Sequence, residues 1–116
     1  MIVVAKVGTS SVTDGSGQVD RGAVAKLCSE VAGLRSAGHR VVIVTSGAIA
    51  AGLPALGLER GPDLALLQAV SAVGQSRLMR VYDDELAAHG LVAAQVLLAP
   101  LDFFDRRQYL HARQTL

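Results

Sequence analysis

The feature that most constrains the fold is a recurring order of short apolar runs, glycine-containing loops and helical patterns. Three runs are rich in β-branched or aliphatic residues and have the length of strands: Ile2–Val7, residues 41–45 and residues 92–98. Apolar side chains at helical spacing follow each run. Strands that alternate with helices predict a parallel sheet with right-handed crossovers and helices packed on it. We therefore expect an α/β fold in which a parallel sheet is sandwiched between helices in three layers.

The first run, β-branched and almost entirely apolar, is typical of a strand that is buried on both faces. Asp20 has the character of an N-cap for the first helix. A short helix is predicted to open at residues 48–52, and a long one to occupy residues 62–90, with Gly74 as a site for a kink or a break. The last predicted helix covers residues 103–115.

The 116 residues suit one domain or part of one. The chain ends on a predicted helix, and three parallel strands make a small sheet. We therefore expect residues 1–116 to be the N-terminal part of a single domain that continues beyond Leu116.

Composition excludes several classes of protein. The formal net charge is +1, which provides no strong field for nucleic acid. No apolar run approaches the roughly 20 residues that span a bilayer, and the N-terminus lacks the pattern of a secretory signal. Cys28 is the only cysteine, which is compatible with a reducing compartment. We expect a cytoplasmic protein without nucleic-acid or membrane partners.

The loop after the first strand is the first candidate site. Lys6 ends a buried strand, where an ammonium group is costly unless it reaches a cleft or an anion. Gly8 allows close approach of a ligand, and Thr9 with its neighbours Ser10 and Ser11 adds hydroxyl groups beside backbone N–H groups that can bind an anion. The residues alone fit equally a lysine that reaches water beside an ordinary turn.

The loop after the second strand is the second candidate site. Ser46 and Gly47 join a strand to the start of a helix, where free N–H groups and the helix dipole favour a carboxylate or a phosphate. The alternative is that Ser46 only caps the helix and the glycines only permit close packing.

Other common site patterns are absent. The chain contains neither a P-loop nor a dinucleotide-binding glycine pattern after a strand. His39, His89 and His111 are scattered and have no partners at metal-ligand spacing, so we predict no metal site formed by these residues.

Five ordered segments carry a family resemblance. Residues 6–10, Lys-Val-Gly-Thr-Ser, and residues 44–52, Val-Thr-Ser-Gly-Ala-Ile-Ala-Ala-Gly, resemble the opening of the amino acid kinase family. Residues 72–78, 94–98 and 107–116 are similar to the glutamate 5-kinase branch of that family. The five segments occur in order and at matching separations, and the resemblance extends over essentially the whole chain. His111 departs from the family pattern, in which we expect asparagine at this position.

The resemblance implies an enzyme that transfers the γ-phosphoryl group of ATP, with Mg²⁺, to the side-chain carboxylate of L-glutamate, the first step of proline biosynthesis. It assigns Lys6 to catalysis and to the ATP phosphates, together with Gly8 and Thr9. It assigns Ser46 and Gly47 to glutamate. It also implies a homo-oligomer and feedback inhibition by proline.

The family's acidic segment, second phosphate-binding lysine and adenine pocket follow later in the chain than the residues present here. The resemblance therefore implies that this chain holds the glutamate side of the site and is inactive alone. Two alternatives stay open: another member of the amino acid kinase family, such as an acetylglutamate, aspartate or uridylate kinase, or a non-catalytic module that binds an amino acid or a partner subunit.

Overall fold

Two parallel strands form the sheet of the computed structural model, which describes residues 1–116. β1 (Ile2–Val7) pairs with β2 (Arg40–Thr45), in a register that places Val7 opposite Thr45. Parallel strands end at the same edge of a sheet. The loops that follow Val7 and Thr45 therefore leave the sheet side by side.

Helices connect and follow the strands. They are a 3₁₀ turn (Thr9–Ser11), α1 (Arg21–Ser36), α2 (Ala48–Leu56), α3 (Leu64–Ala87), α4 (Leu101–Phe104) and α5 (Arg106–Thr115). The side chains of Asp20, Asp63 and Asp105 accept hydrogen bonds from backbone N–H groups in the first turns of α1, α3 and α5. The predicted α/β fold with a parallel sheet is confirmed, and in this chain helices pack against one face of that sheet.

One hydrophobic core lies between the sheet and helices α1 and α3. The partly buried Val41 and Ile43 of β2 pack against it, and a salt link from Arg21 to Asp84 joins the two helices at the surface (Nη2 to Oδ2, 3.2 Å). Its buried members are Val7, Val12, Val24, Cys28, Val31, Leu78, Tyr82 and Leu86. The core therefore reaches the edge of the sheet at which the two candidate loops lie.

The other face of the sheet is exposed. Side chains alternate along a strand, and in β1 those of Ile2, Val4 and Lys6 lie on the exposed side; Val4 is 63% exposed. The interpretation of β1 as a strand buried on both faces is therefore wrong for these residues, because the helices of this chain cover only the face that carries Val41 and Ile43.

The predicted third strand, residues 92–98, is also wrong. This stretch forms no strand or helix, and Val92 is 94% exposed. A strand exists only through ladder hydrogen bonds to a neighbour, and residues 92–98 pair with neither β1 nor β2. Apolar, β-branched composition is therefore not sufficient to add this stretch to the sheet.

Gly74 does not split α3, which is continuous from Leu64 to Ala87. It lies where α3 crosses α2 at backbone contact: a Cβ atom at Gly74 would overlap the carbonyl oxygen of Ala48 and lie 2.6 Å from the nitrogen of Gly52. A Cβ atom at Gly52 would in turn lie 2.9 Å from Cγ1 of Val70. The glycines thus serve close packing of two helices within the chain.

The last predicted helix is interrupted. Residues 103–115 were expected to form one helix, but Asp105 is extended (φ −85°, ψ 120°) and separates α4 from α5. The Oδ1 atom of Asp105 accepts hydrogen bonds from the N–H groups of Arg107 and Gln108, at 2.9 Å and 3.0 Å. The aspartate therefore starts a new helix, since its side chain competes with helical continuation.

Candidate functional site

The two candidate loops meet at the edge of the sheet. Oγ1 of Thr9 and Oγ of Ser46 are 2.7 Å apart and share a hydrogen bond, although the residues are 37 positions apart in the chain. The N–H group of Ser46 donates to the carbonyl of Val7, 3.1 Å away, and extends the parallel ladder by one bond. The sequence predicted both loops at the carboxyl ends of the strands, and the structure brings Thr9 and Ser46 into direct contact there.

The first loop is held in place by its own turn and by Val12. The N–H group of Ser11 donates to the carbonyl of Gly8 (3.0 Å), and Oγ1 of Thr13 donates to the carbonyl of Thr9 (2.9 Å). Val12 is fully buried, in the core below the loop. Thr9 is therefore carried by a short, hydrogen-bonded segment with an apolar anchor.

Gly47 forms the sharp turn from β2 into α2. Its φ of 117° lies in a region that side chains strongly disfavour, and a Cβ atom there would be 3.3 Å from Cγ2 of Val12. Gly47 is the N-cap residue of α2, which has no side-chain cap. The alternative in which Ser46 caps the helix is therefore wrong, because its hydroxyl bonds Thr9 instead.

The first turn of α2 offers free donors. The backbone N–H groups of Gly47, Ala48, Ile49 and Ala50 have no acceptor within the protein; the first bonded N–H of the turn is that of Ala51, which donates to the carbonyl of Gly47 (3.0 Å). These groups carry the positive end of the helix dipole. Together with the hydroxyls of Thr9 and Ser46, they make this corner suited to a carboxylate or a phosphate oxygen.

A cleft of about 360 Å³ opens at this corner. Its walls come from both loops, the first turn of α2, the α2–α3 connection and α3: Thr9, Thr45, Ser46, Gly47, Ala48, Ile49, Ala50, Arg60, Ser71, Gln75 and Leu78. No acidic residue lines it, and its one charged side chain is that of Arg60. The cleft is therefore rich in hydrogen-bond donors and favours an anionic ligand.

A hydrogen-bonded pair supports the Ser46 loop from the core. Oγ1 of Thr45 donates to the carbonyl of Ser46 (3.0 Å) and lies 2.7 Å from the hydroxyl of Tyr82. Because the Thr45 proton is used toward Ser46, the Tyr82 hydroxyl donates to Thr45. Burial raises the pKa of Tyr82, a residue that is 3% exposed, so its phenol stays neutral and able to donate at neutral pH.

Lys6 and Gly8 are not in the lining of this cleft. Lys6 lies one residue before the end of β1, on the exposed face of the sheet, opposite Val44 and without a hydrogen bond or an ion pair. Gly8 begins the turn that carries Thr9, and a Cβ atom there would meet nothing within 4 Å. Thr9, Ser46 and Gly47 thus share one cleft, whereas Lys6 and Gly8 lie beside it.

Sequence reasoning did not identify Arg60, Ser71, Gln75 and the Tyr82–Thr45 pair as parts of the site. Gln75 lies in one of the segments that carried the family resemblance, which is the only sequence signal for it. Arg60 belongs to a connection without a motif. It lines the cleft because the chain between α2 and α3 passes beside it, and a tertiary position of this kind leaves no local pattern.

Comparison with known proteins agrees with this architecture. Residues 1–116 match the amino acid kinase family over their full extent. The chain belongs to the amino acid kinase family. Among its relatives, proteins named glutamate 5-kinase are 45% identical in Pelobacter propionicus, 50% in Ralstonia nicotianae and 47% in Dehalococcoides mccartyi, each over 115 residues.

These matches cover 98% of this amino acid kinase chain but 31% of each relative. The chain thus spans about a third of the length of the curated relatives it matches. None of its helices is long and apolar enough to cross a membrane.

Proposed function

We propose that residues 1–116 are the N-terminal part of a single kinase domain that phosphorylates the γ-carboxylate of L-glutamate with ATP, the first step of proline biosynthesis. The observation that carries the proposal is the donor-rich cleft at the ends of β1 and β2, which has no acidic lining residue. The similarity to proteins named glutamate 5-kinase supports glutamate as the ligand in preference to the acceptors of other family members.

Glutamate fits the chemistry of the cleft. A carboxylate at the start of α2 would accept hydrogen bonds from N–H groups that have no acceptor in the protein. The hydroxyl of Ser46 stands beside them, held by Thr9 at 2.7 Å. Hydrogen bonds to a charged group in such a place stabilise it more than bonds to a neutral one. We propose Ser46 and Gly47 as glutamate-binding residues on this basis.

Lys6, Gly8 and Thr9 are proposed for the phosphate side. Phosphoryl transfer requires positioning and charge stabilisation more than covalent help from the protein. Lys6 is exposed near the same edge of the sheet, and no acidic group of the protein neutralises its ammonium. A phosphate group that approaches from the β1 side would meet Lys6 and the Gly8–Thr9 turn, while the acceptor carboxylate lies in the cleft.

Kinases of this type use Mg²⁺ with ATP. In kinase sites Mg²⁺ is held mainly by the substrate phosphates with one or two carboxylates, and this chain contains no group of three or more His, Cys, Asp or Glu residues that could hold a metal ion. Feedback inhibition by proline, self-association and a cytoplasmic location are further parts of the proposal, supported by the relationship to the glutamate 5-kinases alone.

Ser46→Ala in the full-length protein tests the glutamate assignment. Loss of one hydrogen bond to a charged group, about 1.5–3 kcal/mol, should weaken glutamate binding by roughly 10- to 150-fold. ATP binding should change little. Ser36→Ala is the matched control, because Ser36 is exposed at the end of α1 and lies outside the cleft. Calorimetric titration of both variants gives the answer, and an unchanged glutamate Kd in Ser46→Ala would remove this residue from the site.

Lys6→Ala tests the catalytic assignment separately. Removal of a group that stabilises transition-state charge costs about 10²–10³ in kcat, so kcat should fall far more than the KM for glutamate rises. Lys6→Arg should restore activity only in part, because a forked guanidinium does not replace a compact ammonium. Steady-state kinetics measure this effect. If Lys6→Ala keeps the wild-type kcat, Lys6 is an ordinary surface residue.

The isolated 116 residues should not form glutamyl phosphate. They supply the glutamate-side cleft and Lys6, whereas the relatives that bear the enzyme name are far longer. Incubation of the purified chain with ATP, Mg²⁺ and glutamate, with hydroxylamine to trap the acyl phosphate, checks this expectation. Hydroxamate above the level without enzyme would contradict it.

A further inference from the structure

Arg60 is the charged group of the cleft, and nothing in the protein pairs with it. It lies in the connection between α2 and α3, is exposed, and makes no hydrogen bond or ion pair. The two ion pairs in the chain both belong to Arg21, which links α1 to Asp84 and Glu85 of α3. The guanidinium of Arg60 is thus available to an anion that occupies the cleft.

The neighbouring wall is also polar and unpaired. Ser71 and Gln75 of α3 are half-buried, line the same cleft, and have side chains without hydrogen-bond partners. They stand one turn apart on the side of α3 that faces α2, because Gly74 allows the two helices to touch at Ala48 and Gly52. A ligand between α2 and α3 therefore meets donors from two directions.

Glutamate has two carboxylates, and the cleft has two separate places for negative charge. The carboxylate that reacts must face the phosphoryl donor, at the strand ends where Thr9 and Ser46 meet. The second carboxylate cannot share the same N–H groups without like-charge repulsion. Arg60 is the only other positive group in the lining. Its planar fork matches a carboxylate with two parallel hydrogen bonds.

We propose that Arg60 binds the α-carboxylate of glutamate and so selects an amino acid with an intact α-carboxylate over analogues that lack its charge. This inference rests on the proposed function, because it takes glutamate as the occupant of the cleft. Arg60 is exposed, so solvent screens the interaction, and the effect of its loss falls at the low end of the range for charged hydrogen bonds, about tenfold in Kd.

A ligand–protein cycle tests the proposal in the full-length protein. L-glutamate is compared with isoglutamine, which keeps the γ-carboxylate and replaces the α-carboxylate with a neutral amide. The wild type should bind glutamate about tenfold more tightly than isoglutamine. Arg60→Ala should bind the two ligands alike, with glutamate weakened about tenfold and isoglutamine unchanged. Arg60→Lys should recover part of the preference, since an ammonium attracts the carboxylate without the fork.

Arg80→Ala is the matched control. Arg80 is exposed on α3, makes no ion pair, and lies outside the cleft, so its loss changes charge without removing the proposed contact. It should leave both affinities at wild-type values. A general effect of charge on anion binding would instead appear in both arginine variants and with both ligands.

The outcomes separate this inference from the proposed function. Equal weakening of glutamate and isoglutamine in Arg60→Ala, or a preference for glutamate that survives unchanged, would overturn the role of Arg60. If either of these results is found while Ser46→Ala weakens glutamate binding in the same assay, the proposed function stands and only the Arg60 contact is rejected. If the wild type does not bind glutamate, both proposals fall together.

Discussion

Residues 1–90 and residues 91–116 differ in how their apolar side chains are packed. All 13 buried residues lie in the first region, between Val7 and Leu86. The second region has none, and it exposes large apolar side chains such as Phe104 at 84%. The two regions therefore contribute unequally to the core, although both are rich in apolar residues.

The difference shows that burial depends on a second surface more than on composition. β2 becomes a strand because β1 supplies its ladder and α1 covers one of its faces. Residues 92–98 have a similar apolar content, but no strand pairs with them. Apolar area contributes roughly 25 cal/mol per Å² only when it leaves water. The same kind of side chain thus stabilises the first region and not the second.

The candidate site belongs to the packed region for a physical reason. Ser46 is held by Thr9 from one side, by Thr45 and Tyr82 from below, and by the ladder bond to Val7. A site that discriminates between ligands needs side chains in fixed positions. The first region can supply them because its backbone is restrained by the core, whereas α4 and α5 contact mainly each other.

Among the substitutions that test this contrast between the two regions, Gly74→Ala should lower the unfolding free energy most. A Cβ atom at Gly74 would overlap the carbonyl of Ala48, so α2 and α3 would have to separate. Overpacking of a tight core costs about 1–3 kcal/mol and sometimes more, and we expect a loss of at least about 3 kcal/mol here because the contact is with backbone. Denaturant unfolding of the 116-residue chain measures it.

Gly33→Ala is the control for this substitution. Gly33 lies inside α1, and a Cβ atom there would meet nothing within 4 Å. Replacement of a helical glycine by alanine should stabilise the chain by about 0.5–1 kcal/mol. If both substitutions shift stability in the same direction, the crossing of α2 and α3 is looser than the structure has it.

The outcome at Gly74 also illustrates what sequence could predict. Glycine in a helical pattern indicates either a kink or close packing, and the choice depends on α2, which is distant in the chain. Local signals succeeded where the deciding contacts were local: β1 has its predicted bounds, β2 begins one residue earlier at Arg40, and Asp20 caps α1. The strand predicted at residues 92–98 failed because pairing is a property of two segments.

The site was predictable to a similar degree. Ser46 and Thr9 carried recognisable loop chemistry, and parallel strand ends imply that such loops are neighbours. The cleft's charge and its support were not predictable in this way. Arg60 and Tyr82 reach it through helix packing, and no residue pattern in the α2–α3 connection distinguishes Arg60 from any other surface arginine.

A smaller effect is expected from Tyr82→Phe, which removes the donor to Thr45 and leaves the ring in the core. The lost bond is partly buried, so we expect the cost typical of a neutral hydrogen bond, about 1 kcal/mol. Tyr109 lies in the exposed α5 and its hydroxyl makes no hydrogen bond, so Tyr109→Phe should cost nothing measurable. Thermal unfolding of both variants checks this contrast.

Tyr82→Phe should also weaken ligand binding in the full-length protein, because Thr45, which Tyr82 holds, donates a hydrogen bond to the carbonyl of Ser46. We expect the KM for glutamate to rise severalfold with little change in kcat, since Tyr82 does not line the cleft and so does not contact the substrate. A variant with lowered stability but unaltered KM would show that the Tyr82–Thr45 bond supports the core and not the loop.

The smallest expected change in unfolding free energy comes from removing a helix N-cap, and the chain offers two aspartate caps for comparison. Asp20 starts α1 and accepts a bond from the N–H group of Ala23 at 3.1 Å, and Asp105 starts α5 with bonds to Arg107 and Gln108. Loss of a capping aspartate typically costs a helix about 1 kcal/mol.

α1 contributes Val24, Cys28 and Val31 to the core, so Asp20→Ala should lower the unfolding free energy of the whole 116-residue chain by about that amount. α5 contributes no buried residue, so the loss of its cap should fray α5 locally and leave the global transition in place. Denaturant unfolding monitored by near-ultraviolet absorbance in a Tyr109→Phe background, where Tyr82 is the only tyrosine, separates the global effect from the local one when it is combined with amide exchange in α5. Equal shifts of the global midpoint in Asp20→Ala and Asp105→Ala would mean that α5 is coupled to the core, and the contrast between the two regions would have to be abandoned.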